Sequence, residues 1–386
     1  MELFKTKKEV RDHLVQLTKD LVRFPSHEDE PLKIFEALGY IRSYFEGDKL
    51  HFAGHTMNGY PALVVTTEAT KHPHVMLSGH IDVVSSGAKF EAEEVEDDYL
   101  AGTGTMDMKG GLACMMAVMK FYAQKKERAP LGLMITSDEE IGGESTKTLL
   151  EDEGYSADYC IVNEGRGKYE IVVREKELLL LKIKLSGESI HSAYPWKGRN
   201  VLEAIMKVCM EVKRHFPRQR EGWVPTVTVT SMQAGKEHNT IPADAEAVLC
   251  FRLTGVKKWS KENVIRLVKS KAKDLEVTEL VHGNVFETNP REKHTQLLRK
   301  TVQDVTGKPV KFAENHGASD ARHFSNKGIE TSVLGPAGKD HHTAAEMVSI
   351  QSLVTHFEVL KRFVAHDYEM FKPQAADLIK KNKGKK

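Results

Sequence analysis

The chain has 386 residues, 40% of them hydrophobic and 29% charged, with 56 Lys+Arg against 55 Asp+Glu, 18 His and 4 Cys. At about 150 residues per domain this length allows two to three soluble domains, with enough core to fold without disulfide or metal staples. A formal net charge of +1 removes the general attraction expected of a nucleic-acid or anionic-membrane binder, so neither partner is expected.

The amino-terminal segment MELFKTKKEVRDHLVQL alternates charged with apolar residues at helical spacing. It lacks the apolar stretch of a signal peptide, and no run approaches the ~20 apolar residues of a membrane span. Cys114, Cys160, Cys209 and Cys250 lie more than 40 residues apart from one to the next, which excludes a CxxC redox pair and a thiolate zinc cluster. A cytoplasmic protein with reduced cysteines is the expectation.

From Lys7 to Phe24 the residues Val10, Leu14, Leu17, Leu21 and Val22 form one stripe, predicting an amphipathic helix. Apolar runs at Ala62–Thr66, Val75–Ser78, Leu131–Thr136 and Tyr159–Val162 read as buried strands. Gly110–Lys125 and Ser145–Glu153 read as helices between them. Such alternation predicts an α/β domain, a mixed sheet covered by helices, with polar sites gathered beyond the strand ends.

The pattern changes near Val173. Strands at Leu178–Leu185, Thr226–Met232, Ile241–Leu253 and Leu275–Phe286 and helices at Val201–Phe216 and Ser260–Asp274 follow the order β-α-β-β-α-β of a ferredoxin-like split motif. A helix at Lys293–Thr306, a strand at Thr331–Leu334 and a helix at Ile350–Ala365 then restore the α/β character. One domain therefore interrupts another. The expected boundaries are residues 1–174 and 290–386 for the discontinuous outer domain and 175–289 for the insert. The chain ends with five lysines between Lys380 and Lys386, read as a solvated tail.

Five segments carry chemistry. In Leu77-Ser78-Gly79-His80-Ile81-Asp82 a buried strand reaches a polar end where His80 and Asp82 face the same way. That arrangement suits a metal-bound imidazole with an acid to orient it; an ordinary strand-end histidine reads the same way. Gly102-Thr103-Gly104-Thr105-Met106-Asp107 opens a helix but lacks the third glycine of a dinucleotide loop and a GK[ST] ending. Its glycines suggest a backbone pressed close to a fixed carboxylate, or else a plain tight turn.

After the strand ending at Ser137 come Asp138, Glu139 and Glu140, costly to desolvate unless a cation neutralises them. One Glu can then bind metal while its neighbour serves as general base; the alternative is an exposed acidic turn. Glu164 follows the apolar Cys160-Ile161-Val162, and the pair His341-His342 follows Gly335-Pro336-Ala337-Gly338. Together these segments offer two imidazoles and at least three carboxylates, an oxygen and nitrogen set suited to a zinc-like pair of ions.

With these motifs in place, the chain resembles the dinuclear metallopeptidase family of aminoacylases, succinyl-diaminopimelate desuccinylase, acetylornithine deacetylase and glutamate carboxypeptidases. The resemblance runs from about Val10 to Ala365 and includes the insert. It implies two divalent ions, zinc with cobalt or manganese as alternatives, held by His80, Asp107, Glu140, Glu164 and His342. Asp107 would bridge them, Asp82 would orient His80, and Glu139 would be the general base. A Glu four residues after the family's late ligand histidine selects His342 over His341.

The insert resembles the family's lid or dimerisation domain, which implies a homodimer. His191 matches a lid histidine that stabilises the oxyanion, in its own or the partner's site. Asn239, Arg252 and Arg322 match substrate-contacting positions, Arg322 through a carboxylate suited to its bidentate fork; a structural salt bridge is the alternative for both arginines. Thr103 stands where many members carry Arg, and Glu164 leans towards the deacylase and desuccinylase branches. The resemblance thus implies hydrolysis of the amide bond of an N-acyl amino acid, with a carboxypeptidase or dipeptidase as the alternative. A catalytically silent binding protein of the same fold is a rival from another class.

Overall fold

The structure is a computed structural model, and it describes residues 4–85, 87, 89–125, 129–165, 169–218 and 220–371; the lysines from Lys380 to Lys386 lie outside them. The chain divides into two compact units, the second made of Arg174–Glu287 with Glu314–Ala318 and the first of the remainder.

The first unit begins with α1 (Lys7–Val22), whose amino end is capped by the Thr6 hydroxyl accepting from Glu9 N–H at 3.2 Å. Capping satisfies a donor that the helix itself leaves open, and Leu14, Leu17, Leu21 and Val22 turn the expected stripe inward. Next come α2 (Pro31–Tyr44), β1 (His51–Met57), β2 (Tyr60–Thr66), β3 (Val75–His80), β4 (Glu93–Val95), β5 (Tyr99–Ala101), α3 (Gly110–Ala123), β6 (Leu131–Thr136), α4 (Glu144–Glu151), β7 (Tyr159–Val162) and β8 (Ile171–Glu175). The sequence reading missed α2 and β1. The first opens on a proline, tolerated in a first helical turn, and the second is an edge strand with no fully buried residue, so neither leaves a strong apolar period.

The second unit holds β9 (Glu177–Ser186), β10 (Ile190–His191), α5 (Val201–His215), β11 (Thr226–Ala234), β12 (Thr240–Ile241), β13 (Asp244–Leu253), α6 (Lys261–Lys269), β14 (Glu276–Gly283) and β15 (Phe286–Glu287). Its main sheet has the antiparallel order β11-β13-β9-β14, the ferredoxin-like arrangement. Leu179, Leu181, Ile183 and Leu185 of β9 are fully buried and pack with Ile205 and Val212 of α5 and Val264 and Val268 of α6. The expected strand from Ile241 to Leu253 is split because Pro242 carries no N–H for a ladder. The expected helix to Asp274 stops at Lys269, beyond which Lys271 N–H bonds Val268 O only three residues back, a tighter turn than the α-helix.

The chain then adds α7 (Lys293–Thr306), β16 (Phe312–Asn315), α8 (Ala321–Asn326), β17 (Glu330–Val333), β18 (Gly338–Lys339), β19 (Met347–Ser349) and α9 (Ile350–Phe371). The first unit's large sheet has the order β1-β2-β6-β3-β7-β17-β8. Its centre is parallel: β3 pairs with β6 and β7, and β7 with β17. Every residue of β3, β6 and β7 is buried, as expected of parallel strands covered on both faces. Their apolar side chains share one core with α1, α2, α3, α7 and α9. Among the described residues no helix is long and apolar enough to cross a membrane.

Candidate active site

The parallel register creates the site. His80 lies opposite Thr136, and Ser78 lies opposite Val162, so the polar residues following β3, β6 and β7 emerge along one sheet edge. His80, 1% exposed, ends β3. Its Nδ1 is 3.0 Å from the backbone carbonyl of Asp82 and 3.4 Å from that residue's Oδ1. The backbone of Asp82 thus orients the ring at closer range than the expected carboxylate. The other carboxylate oxygen, Oδ2, accepts from Glu140 N–H at 2.9 Å, tying the β3 end to the acidic turn.

Asp107 sits in an irregular turn from Thr105 to Lys109, before α3, and the peptide between Asp107 and Met108 is cis. The Oδ1 atom of Asp107 is 3.3 Å from His80 Nε2, and its Oδ2 is 3.2 Å from His342 Nε2. One carboxylate therefore stands between two imidazoles. Burial works to raise the Asp107 carboxyl, but His342 and His80 outweigh it and hold it far below the usual carboxylate range.

His342, with a left-handed backbone φ of 60°, lies in the loop between β18 and β19. Its Nε2 is also 3.2 Å from Glu140 Oε1. Asp107 and then Glu140 push its imidazole up to about 10. It is His342 and not His341 that reaches both carboxylates. Glu139 begins the turn at Glu139–Ile141. Burial, and then the charge of Glu164, raise its carboxyl well above the ordinary value. Glu164, 6% exposed, follows β7 through Asn163. A Cβ added at Gly335 would stand 2.3 Å from the Glu164 carbonyl carbon, so only glycine admits this close crossing of backbones.

Two donor groups result, His80 with Asp107 and Glu140, and His80 with Glu139 and Glu164, each with its ligand atoms within 4.8 Å of one another. His80 Nε2 and Glu140 Oε1 are buried and make no hydrogen bond. The pair spacings, 3.3 Å for Asp107 with His80 and 3.2 Å for His342 with Asp107 and with Glu140, are those of two ligands sharing an ion at ~2.0–2.1 Å. An imidazole and carboxylate set without thiolates, held this way, fits a pair of divalent ions.

Three buried residues that the sequence reading gave no role hold this machinery. Glu346, 3% exposed, accepts from the backbone N–H groups of Gly104, Met106 and Asp107 at 2.9, 2.9 and 3.0 Å. Its only sequence signal was its position four residues after His342. Lys109 is fully buried, donates to Phe24 O at 2.7 Å, and is pushed down to about 7 by burial. Asp320 accepts from the Thr146 hydroxyl and crowds Gly143, whose added Cβ would stand 2.0 Å from Asp320 Oδ1.

Arg322 is 5% exposed and turned inward. Its Nη1 donates to Ser319 O and its Nη2 to Gly142 O, both at 2.7 Å, so the fork is engaged with backbone next to the acidic turn. Thr103, which stands where many members of the resembled family carry Arg, is 1% exposed and donates its backbone N–H to Lys89 O at 3.3 Å.

In the second unit, β10 pairs with β12 so that His191 faces Thr240, and Ser192 N–H donates to Asn239 O at 2.8 Å. His191 and Asn239 are thus neighbours and both are exposed. The Nδ1 atom of His191 accepts from Ala193 N–H at 3.1 Å, so a neutral ring carries its proton on Nε2. Arg252 stands near the far end of β13, opposite Leu178, separated from that pair by the length of the strand. Its Nη1 is buried and makes no hydrogen bond.

The profile of peptidase family M20/M25/M40 matches residues 76–366. The chain is 28% identical over 366 residues to a succinyl-diaminopimelate desuccinylase of Legionella pneumophila (strain Corby), covering 88% of this chain and 95% of that protein. Among solved structures, the M20 metallo-carboxypeptidase Sso-CP2 of Sulfolobus solfataricus superposes with a TM-score of 0.76 at 17% identity, covering 92% of this chain and 98% of that one. The Bacillus subtilis YXEP protein, a dinuclear metal-binding M20 peptidase, does so with a TM-score of 0.68 at 15% identity, covering 94% and 99%. The family profile spans three quarters of the sequence and contains every segment of the site: the chain belongs to peptidase family M20/M25/M40 and is a hydrolase acting on amide bonds.

Proposed function

We propose that this hydrolase removes the acyl group from an N-acyl amino acid of the succinyl or acetyl class. The observation that carries the reading is the near end-to-end likeness to curated desuccinylases, 28% identical over 88% of this chain and 95% of theirs. Glu164 after β7 agrees with that branch.

His80, Asp107 and Glu164 would hold one divalent ion, and Asp107, Glu140 and His342 the other, with zinc the expected metal and cobalt or manganese substitutes. When bound, the ions supply Lewis acidity that activates water and polarises the amide carbonyl. The chain's own residues do the rest. Asp107, kept ionised by its two imidazoles, fixes the spacing of the two halves. Asp82 keeps His80 oriented and Glu140 in place. Glu139, buried and raised above ordinary carboxylates, takes the proton of the attacking water and returns it to the leaving amine nitrogen, the work of a general base and then acid.

The second unit acts in this reading as a lid and dimerisation domain. His191 offers its Nε2 proton to the developing oxyanion, an interaction worth ~3–4 kcal/mol per donor, and Asn239 beside it contacts substrate. Arg252, whose Nη1 makes no hydrogen bond while both Nη atoms of Arg322 are engaged with backbone, is the candidate for the substrate carboxylate. Arg322 instead positions the acidic turn.

The test is a substrate panel with the zinc- or cobalt-loaded protein: N-succinyl and N-acetyl amino acids against dipeptides and carboxypeptidase substrates. Efficient turnover of the acyl compounds supports the reading. Preference for peptides replaces it with the alternative, favoured by the fold likeness to Sso-CP2.

A further inference from the structure

A second cluster of ligating side chains lies at the opposite edge of the same sheet. His74 precedes β3, six residues before His80, and so stands about 20 Å from it at ~3.3 Å per extended residue. Asp158 precedes β7, His294 lies in the first turn of α7, and Asp367 lies in the last turns of α9. His74 Nδ1 is 2.6 Å from Asp158 Oδ2, and His294 Nδ1 is 2.6 Å from Asp367 Oδ1. His74 Nε2 is also 2.6 Å from Asp367 Oδ2, yet both atoms are buried and neither makes a hydrogen bond.

Asp367 has no solvent exposure. The ring of His294 lies between Tyr159 and Phe371, with centroids at 5.2 and 4.2 Å. A neutral imidazole has one N–H. With that of His74 taken by Asp158, Nε2 meets the Asp367 carboxylate either as a lone pair or, in the imidazolium that burial opposes but the two carboxylates favour, as a second N–H. Two lone pairs at that distance repel unless a cation lies between them. His74, His294 and Asp367 each place one donor atom within 4.8 Å of the others. The hydrogen bond from His74 Nδ1 to Asp158 is the outer carboxylate that orients metal-bound histidines.

We propose that His74, His294 and Asp367 form a separate, non-catalytic site for one zinc-class divalent ion, which fastens the end of α9 to the amino-terminal edge of the sheet. The N,N,O donor set suits zinc and its neighbours and not magnesium or calcium. An ion at ~2.0–2.1 Å from each donor spreads the ligands to roughly 3.3 Å, a side-chain adjustment of less than an ångström. It takes the place of the proton on His294 Nδ1.

The experiment counts metal in the full chain. Protein stripped with chelator and dialysed is reloaded with Zn²⁺, freed of loose metal by gel filtration, and analysed by plasma mass spectrometry. His294→Phe keeps the aromatic stack and removes the nitrogen. The expected result is one equivalent fewer than wild type, with turnover retained. Equal zinc content in the two proteins overturns the proposal and leaves a shared proton as the cation. A second comparison uses the His80→Ala, His342→Ala background. That protein is expected to keep one tight equivalent, and adding His294→Phe is expected to abolish it. No difference between those two proteins also overturns the proposal.

Discussion

The backbone N–H of Asp107 donates to Glu346 Oε1 at 3.0 Å, and the same carboxylate takes the N–H groups of Gly104 and Met106. Glu346 lies in the segment that carries His342, whose ring meets Asp107 from the other side. One buried carboxylate thus sets the position of both partners in the centre of the site.

Glu346→Ala is expected to orphan three buried donors, at ~1–3 kcal/mol for each group left without a partner. Metal affinity should fall by about 10–100-fold, the usual loss when a ligand's supporting contact is removed. Chelator competition checks this. Glu346→Gln, which still offers an acceptor oxygen, should recover part of the affinity.

Glu139→Gln is expected to keep its metal while turnover falls by about 10²–10⁴, the range for a lost general base. Steady-state rates alongside metal analysis separate this from a ligand loss. Near-normal turnover with full metal content would move the proton-transfer role to another residue.

Arg322→Ala removes the hydrogen bonds to Gly142 O and Ser319 O. Since the arginine holds the acidic turn, the expected effect is a fall in kcat with little change in KM, together with ~1–3 kcal/mol of lost stability from the stranded carbonyls. A rise in KM with kcat preserved would instead mark a contact with the substrate carboxylate.

His356, 3% exposed and paired through Nε2 with Asn163 Oδ1 at 2.8 Å, is lowered by burial to about 3. An imidazole depressed in the fold takes up its proton in the unfolded chain first. The unfolded state therefore binds more protons between about pH 6.5 and 3, and stability falls as pH drops through that window. His356→Gln keeps a donor for Asn163 and cannot titrate. Urea midpoints from pH 7 to 4 should decline less steeply in this variant than in wild type; parallel curves would assign the acid sensitivity elsewhere.

Removing metal should lower thermal stability as well as activity, because only the folded chain assembles the ligands. At a free ion concentration of 100 times Kd the linkage is worth ~2.7 kcal/mol. Melting curves of dialysed and reloaded protein measure it, and an unchanged midpoint would count against tight binding at the site.

The sequence by itself determined the alternation of buried strands and helices, the β-α-β-β-α-β order of the insert, and the polar strand ends, with His80 closing β3 and carboxylates following β3, β6 and β7. Those features are local: periodicity, strand-end polarity and glycine punctuation are written within a few residues. It left α2 and β1 unread, because an edge strand and a half-exposed helix bury too little to impose a period. Only the tertiary structure decided that Asp107 stands between His80 and His342, residues separated by more than 250 positions. The same holds for Arg322, turned onto backbone carbonyls, and for Glu346, which reaches back to the Asp107 loop. Parallel strand register, and the pairing of β19 with β5 that brings the late segment back beside the Asp107 loop, create these contacts. Hydrogen bonds between segments so distant in the chain leave no pattern in the sequence of either one.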